Sequence, residues 1–390
     1  MKIFDCDNHY YEALDAFTRH VPANMHHRCV QIAEVDGRTR HVVGGVVDYS
    51  VGNPLFDPIA KPGVLYDYFK GNPSGKPASE LMRGDLEPQP AAYRDPDARL
   101  KIMDEQGVES VWLFPTLGVL YEERLKHDPE AVCATFQGFN RWLDEDWGLC
   151  HNGRIFSAPY ISLADVDWAC RELEWALGRD ARVLVMRPAA VCTANGPRSP
   201  ADTHFDPFWA RVNEAGITVI AHTGNSGYSN NGYAPDDFGR SSLGMGRRPS
   251  VKSLCLERAA NDFLLTLAFD KLFERFPNLR VGSIENGSGF LPDLFRQLES
   301  AKARNPWHFA EDPIQSFRKH VWINPFWEDE IEDVVELMGA ENVIFGSDWP
   351  HMEGLADPKD ILSEIGGLDE DSRNGFLYDN TRGLNERRPA

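Results

Sequence analysis

The chain has no Cys-x-x-Cys arrangement, although it carries seven cysteines (6, 29, 133, 150, 170, 192 and 255) in 390 residues. Scattered and odd in number, they read as free buried thiols of a reducing compartment, which excludes a disulfide scaffold or a zinc ribbon. No apolar run approaches the ~20 residues that span a bilayer. The opening Met-Lys-Ile-Phe-Asp contains neither an apolar signal core nor twin arginines. The protein is therefore expected to be soluble and cytoplasmic, with no membrane partner. Positive charge is scarce as well: 40 Lys and Arg against 60 Asp and Glu give a net charge of −20. A nucleic-acid backbone would be repelled, and no local basic patch offsets the repulsion, so nucleic acid is excluded as a partner. No internal repeat, low-complexity tract or linker divides the sequence, and residues 1–390 are expected to form a single domain.

Eight short β-rich apolar runs are present, at 3–7, 110–114, 155–160, 182–186, 217–222, 280–285, 320–324 and 342–345. Between them lie helical patterns at 97–106, 165–177, 208–214, 259–276, 292–303 and 327–338. Strands alternating with helices imply parallel pairing through crossovers, and eight units close a (β/α)8 TIM barrel. Gly107, Gly216 and Gly339 fall where helices would end before the next strand. Two stretches exceed a minimal barrel. One is an insertion at about 20–93, with strand-like runs at 29–35 and 41–47 around an Asp36-Gly37 turn signal. The other is a Gly-, Asn-, Ser- and Tyr-rich loop at about 223–249. They follow strands one and five and should cover the barrel's C-terminal mouth as lids or binding loops. Tyr66, Tyr68, Phe69, Tyr228 and Tyr233 are their candidate pocket residues.

Barrel sites are built at the C-terminal ends of strands. Residues i and i+2 of an extended strand point the same way, so Asp7 and His9 should project together from the end of strand one. Later strand ends supply Arg187, His222, Glu285 and Asp348, and five of these six residues are metal-ligand types. Each has a plainer reading when taken singly. His222 could be a satisfied core residue, Asp348 a helix cap, and Glu285 a loop anchor or the partner of a substrate amine. Arg187 is expected to pair with a nearby carboxylate or an anionic substrate group. His351 supports the site or is a loop residue, and Asp5, one pleat below Asp7, should hydrogen-bond a ligating imidazole. Cys6 should face away from Asp7 and His9 as a packing residue.

The series Asp-x-His, Ala221-His222-Thr223-Gly224, Glu285-Asn286-Gly287 and Phe345-Gly346-Ser347-Asp348-Trp349-Pro350-His351 resembles the amidohydrolase-related branch of the amidohydrolase superfamily. That branch includes metal-dependent decarboxylases such as aminocarboxymuconate semialdehyde decarboxylase. The resemblance implies a barrel with ligands Asp7 and His9 on strand one, His222 on strand five and Asp348 on strand eight. It departs from the hydrolytic pattern where Asp7 replaces the first histidine of His-x-His and Glu285 replaces the strand-six histidine. Arg187 stands where some binuclear members have a bridging group. The Asp-x-Asp-Asn-His opening is similar to that of the non-haem dinuclear iron monooxygenases of the superfamily, the platensimycin-pathway diterpenoid hydroxylase and α-aminoisobutyrate hydroxylase.

Three carboxylates and two histidines form a hard donor set, which favours iron or manganese over zinc. Three carboxylates facing one divalent ion leave an excess of negative charge, so two ions are expected. The leading expectation is a dinuclear iron, or manganese and iron, monooxygenase using molecular oxygen to hydroxylate a carboxylate, amino-acid or acyl-thioester substrate. The alternative uses the same metal site, with zinc also possible, for hydrolysis or non-oxidative decarboxylation, with Glu285 or His351 moving protons. A third reading is a non-catalytic subunit paired with an active homologue. A homodimer, or a dimer with a homologous subunit, is the expected assembly.

Overall fold

The computed structural model of the chain describes residues 2–228 and 251–390. Most of the loop expected at about 223–249, Tyr233 included, lies outside the described residues. The first barrel strand, Ile3–Tyr10, pairs in parallel with the second, Val108–Pro115, and the second with the third, Ile155–Ser157. The fourth to seventh strands, Val183–Met186, Thr218–His222, Arg280–Ile284 and Val321–Ile323, form a second parallel sheet in chain order.

Parallel bridges from Tyr160 to Val185, Ile323 to Val343 and Asn8 to Trp349 join the sheets into a closed ring. The expected TIM barrel is therefore the observed architecture, with its eighth strand reduced to bridges within residues 343–349. That short run is sewn to the first strand by three backbone bonds of 2.8 Å. Cys6 donates to the Phe345 carbonyl, Asp348 to that of Asp7, and His9 to that of Trp349. The strands read as near-continuous apolar runs because one face fills the barrel interior and the other meets the helices. Val219 and Ile220, consecutive and pointing to opposite faces, are both fully buried.

The helices follow their local signals. Asp95 caps Pro96–Gln106 by accepting from the Ala98 N–H at 2.7 Å, and Gly107 ends that helix at φ +69°. Gly216 ends Asp206–Ala215 in the same way, at φ +58°. The region expected as one helix at 259–276 is two, Cys255–Phe269 and Leu272–Arg275, because Lys271 turns into the left-handed region between them. The longest helix, Pro129–Asp146, was not expected from the sequence, although Asp128 caps it and Pro129 opens it.

Within the insertion, Val30–Val35 and Arg38–Val43 form the expected antiparallel hairpin around Asp36 and Gly37, both at positive φ. The expected second strand does not run through to residue 47. Gly44 and Gly45 adopt positive φ and turn the chain back into a third strand, Val46–Asp48. This small sheet is held by the short helix Tyr121–Leu125. Tyr121 Oη lies 3.0 Å from His41 Nδ1, and Arg124 Nε lies 3.2 Å from Asp48 Oδ2. No described helix is long and apolar enough to cross a membrane.

Candidate metal centre

The first strand carries an extra residue between its pairs Asp5 with Val111 and Asn8 with Leu113. This bulge redirects side chains from strict alternation. Asp7 and His9 both reach the barrel mouth, while Asp5 turns to the closing seam. Asp5 Oδ1 accepts from the N–H groups of Ser347 at 2.8 Å and Asp7 at 3.1 Å, and Oδ2 accepts from Asn8 Nδ2 at 2.9 Å. The expected bond from Asp5 to an imidazole is therefore not made; Asp5 fixes the backbone of the two segments that carry Asp7 and Asp348 instead. Arg99, fully buried over the Trp349 ring, donates to the His9 carbonyl at 2.6 Å and also bonds the Asn8 side chain. Cys6 packs in the core as expected.

Five donors converge at the mouth. His9 Nε2 lies 3.2 Å from Asp7 Oδ1, 3.3 Å from Asp348 Oδ1 and 3.7 Å from Glu285 Oε2. His222 Nε2 lies 3.3 Å from Asp7 Oδ1 and 3.4 Å from Glu285 Oε2. Asp7, His9, His222 and Glu285 form one group whose donor atoms lie within 4.8 Å of one another; His9, Glu285, Asp348 and His351 form a second, overlapping group. Glu285 and Asp348, at the ends of the sixth and eighth strands, are held at φ +56° and +55°. Such a backbone costs a non-glycine residue about 1–3 kcal/mol and is found where the surrounding structure aims a side chain. Gly346 is needed beside them, since a Cβ there would collide with that of Asp7.

The donor chemistry fits a cation. His222 Nδ1 lies 2.9 Å from the Thr223 carbonyl, which can only accept, so Nδ1 carries the proton and Nε2 turns a lone pair to the cluster. His9 Nε2 and Asp348 Oδ2 are buried without a hydrogen-bond partner among the described residues. Burial, with His351 adjoining, pushes the His9 pKa down to about 3, which keeps the ring neutral and able to ligate. Burial acts to raise the pKa of Asp7, but the His222 and His9 nitrogens outweigh it and hold the carboxyl well below the usual range. Burial, then the nearby Asp348 and Asp7 charges, drives Glu285 well above its ordinary value. Burial does the same to Asp348, reinforced by Glu353 and Asp7. A positive charge among these acceptors is what their arrangement calls for.

His351 stacks on His9 with ring centroids 4.0 Å apart. Its Nδ1 is 2.7 Å from Asp348 Oδ1, and its Nε2 is 2.9 Å from Thr116 Oγ1. The Thr116 hydroxyl gives its one proton to the Tyr10 carbonyl at 2.7 Å, so it accepts from His351 Nε2. Thr116 was not anticipated from the sequence, although it directly follows the second strand, a strand-end position like those of the ligands. Arg187 stands apart. Its Nη1 is 2.6 Å from Glu123 Oε2 and 3.1 Å from the Asn225 carbonyl, and its Nε is 3.4 Å from Glu122 Oε2. Of the two partners expected for it, the carboxylate is the one present, and Arg187 does not border the cavity.

The cluster opens into a cavity of about 830 Å³ bordered by His9, His222, Glu285 and His351. Among the described residues, its aromatic lining is Tyr11, Tyr49 and Phe56. Tyr66 and Phe69, expected to line a pocket, pack against Trp327 and Phe326; Tyr68 and Tyr228 do not border the cavity.

The fold and cluster define an α/β-barrel protein with a metal-ligand constellation at the strand ends. The family profile described as amidohydrolase matches residues 4–384, and the chain belongs to that family. An amidohydrolase structure from Mycobacterium avium subsp. paratuberculosis is similar over 98% of this chain and 99% of its own, with 39% identity and a TM-score of 0.91. A dihydroxybenzoic acid decarboxylase from Polaromonas, solved with manganese and 2-nitroresorcinol, shares the fold. It is 16% identical with a TM-score of 0.56, covering 84% of this chain and 97% of its own. The 2-amino-3-carboxymuconate-6-semialdehyde decarboxylase of Dictyostelium discoideum is 26% identical over 122 residues, 30% of this chain. The aligned stretch spans only 34% of that relative's length.

Proposed function

We propose that this protein is a divalent-metal-dependent decarboxylase acting without oxygen. The observation that carries the reading is a pair of overlapping donor groups, Asp7, His9, His222 and Glu285 in one and His9, Glu285, Asp348 and His351 in the other, which share His9 and Glu285. Donors about 2.0–2.2 Å from an ion stand about 3 Å apart when adjacent around it. Within the first group, the separations of 3.2–3.7 Å from the two histidines to Asp7 and Glu285 fit the shell of a single ion. Two ions about 3.5–4 Å apart need a wider donor set. The charge count that favoured two ions assumed that all three carboxylates are ionised. Glu285 and Asp348, both pushed to high pKa, remove that assumption, because one of them can keep its proton. Manganese is the proposed metal, on the hard donors and the Polaromonas structure.

When bound, the cation supplies Lewis-acid polarisation of a substrate oxygen. Asp7, His9 and His222 would hold it with one anionic and two neutral donors. Thr116 fixes the His351 ring so that the proton between His351 Nδ1 and Asp348 Oδ1 lies at the cavity wall. Breaking the bond from carbon to carboxylate leaves the electron pair on the carbon and releases carbon dioxide. The proton that the carbon needs comes from Glu285 or His351, both of which face the cavity. Hydrolysis by the same groups is the neighbouring reaction. The oxygenase expectation finds no support in the relatives or in the donor spacing.

The test is carbon dioxide release from a panel of aromatic and unsaturated acids under nitrogen, on manganese-loaded protein, with metal content measured alongside. About one ion per chain, lost in His9→Ala, with anaerobic turnover, is the expected result. A strict requirement for oxygen, or two ions per chain, overturns it.

A further inference from the structure

The cavity is larger and more apolar than a single-ring acid needs. At about 830 Å³ it falls in the upper part of the ~300–1,000 Å³ range of sites that enclose a drug-sized ligand. Beyond the metal cluster its walls are built by Phe56, Ile59, Met82, Leu86, Leu120 and Leu256. Apart from the histidines, the one cationic side chain among its described lining residues is Arg83, which is exposed at the mouth. Among the described residues, no cation sits deep in the cavity to pair with a second acid group.

The rim points the same way. Tyr49 and Leu86 line the cavity yet are each 47% exposed. Leu55 and Leu254, next in the chain to the lining residues Phe56 and Cys255, are further large apolar residues left in water. Apolar surface concentrated around an apolar chamber marks a binding site.

We infer that the substrate is a monocarboxylic acid with an extended apolar body, two rings or larger, whose acid group meets the metal cluster and whose body lies along the insertion wall. The inference rests on the proposed function only in placing the acid group at the cluster. Leu120, Met82 and Leu86 then set the length of body that fits.

The experiment is a calorimetric binding ladder on the full, manganese-loaded protein with four unreactive acids: benzoate, 1-naphthoate, 4-biphenylcarboxylate and decanoate. Each added apolar segment removed from water tightens binding. Affinity should rise at least tenfold from benzoate to 4-biphenylcarboxylate. That ratio should collapse towards one in Leu120→Trp, which fills the chamber, and fall in Leu86→Asp, which makes the rim polar at an exposed position and spares the fold. A flat ladder, no binding of any of the four, or a ladder intact in both variants overturns the inference. A flat ladder together with self-association in sedimentation gives the apolar rim to a second copy of the chain. Failure to release carbon dioxide leaves the ladder untouched and overturns only the reaction.

Discussion

Glu12 is a buried carboxylate outside the ligand groups. Its Oε1 accepts from the N–H groups of Leu117 at 2.8 Å and Gly118 at 3.0 Å, and its Oε2 has no partner among the described residues. Burial, partly offset by those two bonds, raises its pKa to about 7 from an ordinary 4.5. The folded state therefore favours the protonated form. The stability this contributes is full below about pH 4.5 and is lost as pH rises through about 7. Glu12→Gln keeps an acceptor oxygen and carries no such proton. Relative to the wild type, it should gain stability between pH 5 and pH 8 by on the order of 3 kcal/mol, read from urea melts at the two pH values. A constant difference across that range would contradict it. At Gly346 the substitution to Ala should abolish metal binding while the far-ultraviolet circular dichroism stays intact, because the added Cβ displaces Asp7. The five ligand types were legible because each ends an apolar run of a barrel, where side chains face the mouth. Thr116 and Glu12 were not, since a threonine and a glutamate beside a strand end carry no ligand signal of their own. Their roles arise from His351 and from a backbone turn that only the fold brings near.

The one-turn helix Tyr121–Leu125 shows how much a short element can organise. Tyr121 and Arg124 hold the insertion sheet, Glu122 accepts from Tyr160 Oη and Ser162 Oγ, both at 2.7 Å, and Glu123 grips Arg187. Through Arg187 and the Asn225 carbonyl, Glu123 fixes the start of the segment after the fifth strand, which borders the cavity. Glu123→Gln removes one charge of a buried pair and should destabilise the fold by about 3 kcal/mol. It should also raise KM more than it lowers kcat and speed hydrogen exchange at 223–227; unchanged exchange there would contradict the coupling. None of this was visible in the sequence, where Glu122 and Glu123 lie outside every strand and helix pattern. Six helical patterns were legible, and one of them, 259–276, is two helices. Pro129–Asp146 was missed although Val132, Phe136, Phe139 and Leu143 repeat at three- and four-residue spacing, because that stretch follows the short helix with no strand between.

Metal, charge and protons are linked over the whole molecule. Two carboxyls of the candidate donor cluster, Glu285 and Asp348, favour protonation in the metal-free protein. A cation bound beside them must displace at least one of those protons, so manganese affinity should rise as pH is raised from 6 to 8, with proton release on binding. Calorimetry in buffers of different ionisation enthalpy measures the release, and affinity independent of pH would contradict it. Removing the metal with a chelator should lower the Tm of the wild type and leave that of His9→Ala unchanged. The eight-unit barrel was legible because strand and helix periods alternate along the chain, whereas the seam was not, since residues 343–349 pair through bridges rather than a full strand. That seam joins Asp5 to Ser347, positions 342 apart in the chain. It is also where Asp7 and His9 meet Asp348. During synthesis on a ribosome, the first ligands emerge hundreds of residues ahead of the last, and no partly made chain can assemble the full donor set. The growing polypeptide thus lacks the complete cluster until its eighth strand is released, and the last donors to join it arrive only when the barrel closes.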